Sequence, residues 1–225
     1  MLVLLCVLAA GLSVALIGST EVVLSSAQHS GVAADYVAQA FLERAVADLR
    51  WIPDWDLVLN GSLRSGLADG APGGVRVLPM TTASIDLDGV RNLANCGHRG
   101  MCSEAELIAT SSDRPWGENN PRWRLFAYAP AGSLLPAGRV SIPFYGLVLV
   151  ADDGGEEDGD AEADGTPGTA GAGVLWLRAI AVGVSGARTG IDAAVERPGT
   201  VGAPVIGRPL RLRSWVRRPT VAGPF

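Results

Sequence analysis

The chain contains no lysine, and all eighteen of its basic residues are arginine. A P-loop needs a lysine for its phosphate and a Schiff-base enzyme needs one as nucleophile, so both classes are excluded. Histidine is also scarce, with only His29 and His98, and the Gly-x-Ser-x-Gly motif of the serine hydrolases is missing. We therefore expect that the protein is not an enzyme.

An excess of positive charge is missing as well. Acidic residues outnumber basic ones by 23 to 18, which gives a formal net charge of −5. Proteins that hold nucleic acid carry a basic patch or stripe that neutralises phosphates. The charge balance predicts no nucleic-acid partner.

The N-terminal segment has neither charge nor proline. The first charged residue is Glu21, and no proline precedes Pro53. Residues 1–18 are apolar and would form a helix of about 27 Å, close to the thickness of a bilayer core. We therefore predict a membrane-spanning helix over 1–24. A signal peptide is the alternative, with a weak cleavage site in "LSSAQ" and a mature start near Gln28, although its basic leading segment is missing.

The helical pattern continues past this segment but becomes two-faced. Apolar residues recur every three or four positions from Ala34, which is typical of a helix with one buried stripe. We predict that residues 25–52 continue the same helix and pack on a folded head through this stripe, at Val37, Phe41, Ala45 and Leu49.

Residues 53–225 read mainly as β-strands separated by glycine and proline. The predicted strand segments are 75–79, 84–87, 124–129, 144–152, 173–184, 191–197 and 210–218. "VSGARTG" predicts a hairpin between two of them. Strands that follow one long helix, without further helices between them, favour an α+β fold with an antiparallel β head. Trp51 and Trp55 are expected to close the base where helix and head meet.

Two of the three cysteines, Cys96 and Cys102, have five residues between them in "NCGHRGMCSE". The glycines between them allow a tight loop, which favours a disulfide formed in an oxidising compartment. A zinc site with His98 as a third ligand, or two free thiols, are the alternatives. Cys6 lies in the apolar segment and is expected to pack as a small hydrophobic residue.

An acidic stretch holds eight carboxylates between Asp152 and Asp164. With the glycine-rich run after it, the stretch predicts a flexible, solvated loop over 152–172. A calcium site is the alternative, because acidic residues alternate there as at the start of an EF-hand loop, at Asp158, Asp160, Glu162 and Asp164. The glycine and the final glutamate of an EF-hand are not at their positions.

The segment "RPWGENNPRWR" places Trp116 and Trp123 among three arginines. Arginine stacked on tryptophan is one way to build a recognition patch. The alternative is a turn-rich loop whose tryptophans fold onto the core.

This layout resembles the type IV pilin superfamily, in particular PilX-type pilus assembly proteins and, more distantly, the K-class minor pseudopilin of type II secretion. The resemblance is carried by the apolar start "LLCVLAAGLSVALIG", its amphipathic continuation "AQAFLERAVADL", the distal "GVLWLRAIAVGVSGARTGIDAAVERPG" and "LRLRSWVRR". It implies a pilin-like fold, with the apolar half of the helix in the inner membrane and later in a filament core. The residues implied in that packing are Leu2, Leu5, Leu8, Gly11, Leu12, Ala15 and Leu16.

The chain departs from the pilin pattern at its start. No charged leader ending in glycine precedes Met1, so we expect either that Met1 is the first mature residue or that the start is truncated. If Met1 is mature, Leu5 occupies the position where major pilins carry a glutamate. The K-class pseudopilins lack this glutamate too, which implies a place at the filament tip.

The resemblance implies a minor pilin of a type IV pilus or a type II secretion pseudopilus. Its partners would be the inner membrane, other pilins or pseudopilins, and the assembly machinery. It would be located in the bacterial inner membrane with a periplasmic head, or in a surface filament after assembly. Two alternatives stay open: a single-pass anchored binding domain or adhesin that does not polymerise, and a secreted enzyme. No cofactor is expected apart from calcium in the acidic loop.

Overall fold

The structure is a computed structural model. The structure describes residues 2–136, 142–156, 158–165, 173–184, 186–197, 207 and 209–218, with side chains described from residue 20 onward. Within these residues, one long helix packs on a five-stranded antiparallel sheet, which confirms the predicted α+β class.

The helices and strands follow in chain order. They are α1 (Leu2–Leu49), α2 (Asp56–Leu59), β1 (Val75–Val77), β2 (Ser84–Asp86), α3 (Leu87–Cys96), α4 (Glu104–Ile108), β3 (Arg124–Pro130), β4 (Phe144–Asp152), β5 (Val174–Gly183), β6 (Arg188–Glu196) and β7 (Arg211–Arg218). Short 3₁₀ turns cover Gly117–Asn119 and Ala131–Leu134. The main sheet runs β3-β4-β5-β6-β7, so each strand pairs with the next in the chain, and β1 and β2 form a small separate sheet.

Helix α1 is continuous, but only its C-terminal part is buried on the sheet. Every side chain from Thr20 to His29 is exposed, and full burial begins at Ala34. From there a single stripe packs against β4, β5 and β6. The predicted packing residues Val37, Phe41, Ala45 and Leu49 all belong to this core.

Helix α1 comes close to the sheet at Gly146 in β4. A Cβ atom added there would overlap the ring of Phe41, which is itself fully buried. Glycine weakens a strand interior and is found where another group must come close. Gly146 therefore sets how near α1 lies to the centre of the sheet.

The opposite face of the sheet is also covered. Tyr128, Tyr145, Leu147 and Leu149 pack there against a layer from β2 and α3, which contributes Ile85, Leu87 and Val90. Strand β4 is thus buried along its whole length. Its run of apolar residues lacks alternation because both of its faces are in the core.

Helices α2, α3 and α4 correct the expectation of a head built from strands alone. Helices α2 and α4 have only 4 and 5 residues, too few for a helical period to show in the sequence, whereas the 10 residues of α3 do carry one. Helix α3 is defined by its ends: Asp86 accepts a hydrogen bond from the Asp88 backbone N–H, and Gly97 follows with a φ of 80°. Its period and these capping residues were the available signal.

The predicted strands are confirmed, and one of the two tryptophans expected at the base of α1 is buried there. All seven predicted strand segments contain a strand, and β5 and β6 pair as the predicted hairpin. Trp55 is buried at the base, with its indole N–H donating to the Leu49 carbonyl at 3.2 Å. The placement of Trp51 was wrong, since it is 62% exposed just after the last turn of α1.

Among the described residues, no helix combines the length and the apolar character needed to cross a bilayer. The implied packing residues lie outside the described side chains: Leu2, Leu5, Leu8, Gly11, Leu12, Ala15 and Leu16.

Replacing Gly146 with alanine tests the close approach. Gly146→Ala should lower the free energy of unfolding by about 1–3 kcal/mol, because the new methyl group displaces Phe41. The measurement is urea denaturation of the full chain, followed by tryptophan fluorescence. Gly31→Ala is the matched control. It lies in α1 with nothing within 4 Å of its added Cβ, so it should leave stability unchanged or slightly raised. Equal effects of the two changes would contradict this packing.

Candidate functional site

The acidic loop begins in the core. Asp152 is the last residue of β4 and is 1% exposed, and Glu156, four residues later, is 2% exposed. Acidic side chains are almost never fully buried unless something compensates their charge. Both belong to the acidic stretch, yet they lie against the end of the sheet.

Asp164 joins these two residues from the far end of the described loop. One carboxylate oxygen from each of Asp152, Glu156 and Asp164 lies within 4.8 Å of the other two. We call these three residues the acidic cluster. Three converging carboxylates form a strongly negative site that only cations or protons can neutralise.

Burial changes the acidity of the cluster. Burial, followed by the negative charge of Glu156, raises the pKa of Asp152 to about 9. Burial also raises the pKa of Asp164 to about 7, against the lowering effects of the Gly173 backbone N–H and of Arg197. The cluster therefore resists carrying three negative charges by itself.

Contacts outside the cluster hold its members in place. The Asn119 side-chain amide donates to the Glu156 carbonyl, and Gly165 leaves room for the Glu156 carboxylate where a Cβ atom would overlap it. Asp164 accepts from the Gly173 backbone N–H at 2.7 Å, and its own N–H donates to Asp56 in α2 at 2.7 Å. The described part of the loop is thus tied to the head at several points.

The calcium ligands predicted from the sequence are only partly brought together. Asp164 belongs to the cluster, but Asp158 and Asp160 are exposed and accept hydrogen bonds from backbone N–H groups two residues on. Glu162 forms ion pairs with Arg122 and Arg124. The sequence-based prediction missed Asp152 and Glu156 as ligands. Asp152 could have been found, because it is an acidic residue at the end of an otherwise apolar strand.

The cysteine pair lies at the end of α3 and in the loop after it. Cys96, the last residue of α3, and Cys102 are joined by a disulfide, with their Cα atoms 5.9 Å apart. His98, the third ligand of the zinc alternative, pairs instead with Glu106 at 2.9 Å. Backbone and side-chain hydrogen bonds from Ser103, followed by the contact with His98, lower the pKa of Glu106 to about 2.

Counting thiols tests the disulfide. The denatured, unreduced chain should show one free thiol, from Cys6, and three after reduction, because the chain has three cysteines. Replacing both Cys96 and Cys102 with serine should lower the free energy of unfolding by about 2 kcal/mol, the loop-closure entropy of so short a loop. Three free thiols before reduction, measured with a thiol-reactive dye, would show that the bridge does not form.

A polar contact fastens α1 where it leaves the sheet. Asp35 accepts a hydrogen bond from the Thr189 hydroxyl in β6 and pairs with Arg217 in β7, both at 2.7 Å. At the other end of the packed stripe, Arg197 donates to the Ile52 and Pro53 carbonyls and lies 4.0 Å from the Trp55 ring centre. The helix is held at both ends of its contact with the head.

The tryptophans of "RPWGENNPRWR" fold towards the sheet. Trp123 is 6% exposed, and Trp116 meets Trp176 of β5 edge to face at 5.3 Å. Arg178 lies 4.5 Å from the Trp123 ring centre and makes two hydrogen bonds to Asp192. These residues line an open groove of about 800 Å³ beside the disulfide loop.

Comparisons with known proteins give no relative. No protein-family model, no curated protein and no solved structure matches the chain.

Proposed function

We propose that the protein is a minor subunit of a pilin-like filament, a type IV pilus or a type II secretion pseudopilus, anchored in the inner membrane before assembly. The observation that carries the proposal is the division of α1. One helix of 48 residues packs on the head only through its C-terminal part.

The length of the helix outside the core is the first support. Side chains become partly buried from Ser30, so residues 2–29 extend the helix by about 42 Å beyond the packed part. A head of this size gains no core from such an extension. A subunit that must reach into a bilayer or a bundle of neighbouring helices needs it.

The surface of the extension is the second support. Val22, Val23 and Leu24 are each more than 60% exposed. A helix with apolar residues facing water gains free energy when a partner covers them. In the proposal the partners are the apolar helices of other subunits, together with the bilayer around residues 1–24.

The fastening of α1 to the head is the third support. A subunit pulled from a membrane into a filament carries its load through the contact between helix and head. Here that contact combines an apolar stripe with the Asp35 and Arg197 bonds at its two ends. The function is therefore one of packing and extraction, with no chemical turnover.

The cysteine bridge agrees with a location outside the cytoplasm. Disulfides persist in oxidising compartments such as the periplasm. A head on the periplasmic side of the inner membrane would meet that condition.

Leu16→Asp tests the proposal, with Tyr36→Asp as matched control. Both changes place one carboxylate on α1, but Tyr36 is 70% exposed beyond the predicted membrane segment. A charge within a membrane helix costs about 3 kcal/mol, so Leu16→Asp should remove the chain from membranes and from sheared surface filaments. Immunoblots of both fractions, from the bacterium that encodes the chain, are the measurement.

The control variant should remain in both fractions. Loss of filament incorporation in both variants would point to a general folding defect, and circular dichroism would reveal it. Normal incorporation of Leu16→Asp would contradict the proposal.

A second candidate is an anchored binding domain that does not polymerise. The groove beside Trp116, Trp176 and Arg178 favours it, because aromatic rings and fixed polar groups commonly line ligand sites. The same fractionation separates the two functions. A membrane-bound chain that never enters sheared filaments supports the binding domain.

A further inference from the structure

The buried carboxylate of Asp152, in the acidic cluster, has no hydrogen-bond donor among the described residues. Asp152 is 1% exposed, and neither of its carboxylate oxygens accepts a hydrogen bond from them. Leaving a buried carboxylate without a partner costs several kcal/mol in general. Something must compensate it: a proton, or a cation bound where its oxygens converge with those of Glu156 and Asp164.

The spacing of the oxygens fits a shared calcium ion. Calcium takes six to eight oxygen ligands at 2.3–2.6 Å, so two ligands of one ion are at most about 5 Å apart. The cluster meets this limit, with its three oxygens within 4.8 Å of one another. Magnesium also binds oxygen, but it demands near-ideal octahedral geometry and usually keeps several waters, so a group of converging protein carboxylates favours calcium.

The ligand chemistry also favours a hard cation. All three groups are carboxylates, and the cluster includes neither cysteine nor histidine, the ligands preferred by zinc and copper. A calcium ion with three ionised carboxylates would carry a net charge of −1. The positive charge of Arg197, which acts on Asp164 and bonds to the segment after α1, brings the site close to neutral.

The geometry points to a structural calcium site formed by Asp152, Glu156 and Asp164, which fastens the β4–β5 loop to the end of β4. The site uses two residues that are sealed in the head and one that closes the described part of the loop. It is independent of the proposed filament function, because it involves no residue of α1.

Calcium titration of the chelator-treated full chain tests the site. Thermal unfolding, followed by tryptophan fluorescence, should shift upward by about 5–10 °C when CaCl₂ exceeds its Kd a hundredfold. Isothermal titration should give one site per chain. MgCl₂ should give a clearly smaller shift, and an equal one would overturn the assignment to calcium.

Two variants of the cluster and two matched controls locate the binding. Asp152→Asn and Asp164→Asn should each raise the calcium Kd at least tenfold. Asp158→Asn and Asp160→Asn remove the same charge from the same loop but outside the cluster, and should leave the Kd within twofold. Equal losses in all four variants would mean that calcium is held only by the overall negative charge, which overturns the site.

The metal-free behaviour of Asp152→Asn separates loss of binding from failure to fold. Without calcium, this variant should unfold at the same or a higher temperature than the unaltered chain, because asparagine removes the cost of protonating the buried Asp152 carboxyl on folding. Calcium should then add little. A full calcium response in this variant, or no response in the unaltered chain up to millimolar CaCl₂, would overturn the inference.

Discussion

The packing of α1 on the sheet is the constraint on which the rest of the structure depends. The stripe from Ala34 to Leu49 covers the centre of β4, β5 and β6, and Gly146 lets the Phe41 ring lie against the strand. Interiors are close-packed, so this contact fixes the axis of the helix relative to the head. The direction in which the N-terminal extension leaves the head follows from it, and with it the proposed role in a filament.

Sequence predicted the elements whose pattern is long or strictly repeated. The period of the α1 stripe placed Phe41 and Leu49 in the core, and the apolar run 144–152 predicted the strand that the structure has as β4. Helix α3 was missed although it carries a helical period and caps at Asp86 and Gly97, whereas α2 and α4 were missed because they have only 4 and 5 residues. Such elements form because the sheet gives them a surface, which a local pattern does not record.

The acidic stretch shows a different limit of sequence reasoning. Alternating carboxylates suggested ligands at Asp158 and Asp160, which instead cap turns of their own loop. The carboxylates of Asp152 and Glu156 are both buried at the end of β4. Strand β4 carries Asp152 into the core, and the Asn119 side chain holds the backbone at Glu156. Burial at the end of a strand depends on tertiary packing, so spacing along the chain could not predict it.

The central claim is that one unbroken helix both packs on the head and extends from it. Spin labels can be attached to cysteines that replace Val23 and Glu43, in a chain whose Cys6 is replaced by serine. Electron–electron double resonance then measures the distance between the two labels. Twenty residues of continuous helix predict one narrow distance distribution centred near about 30 Å. A broad distribution, or one centred well below about 20 Å, would show a break between the two parts and contradict the account.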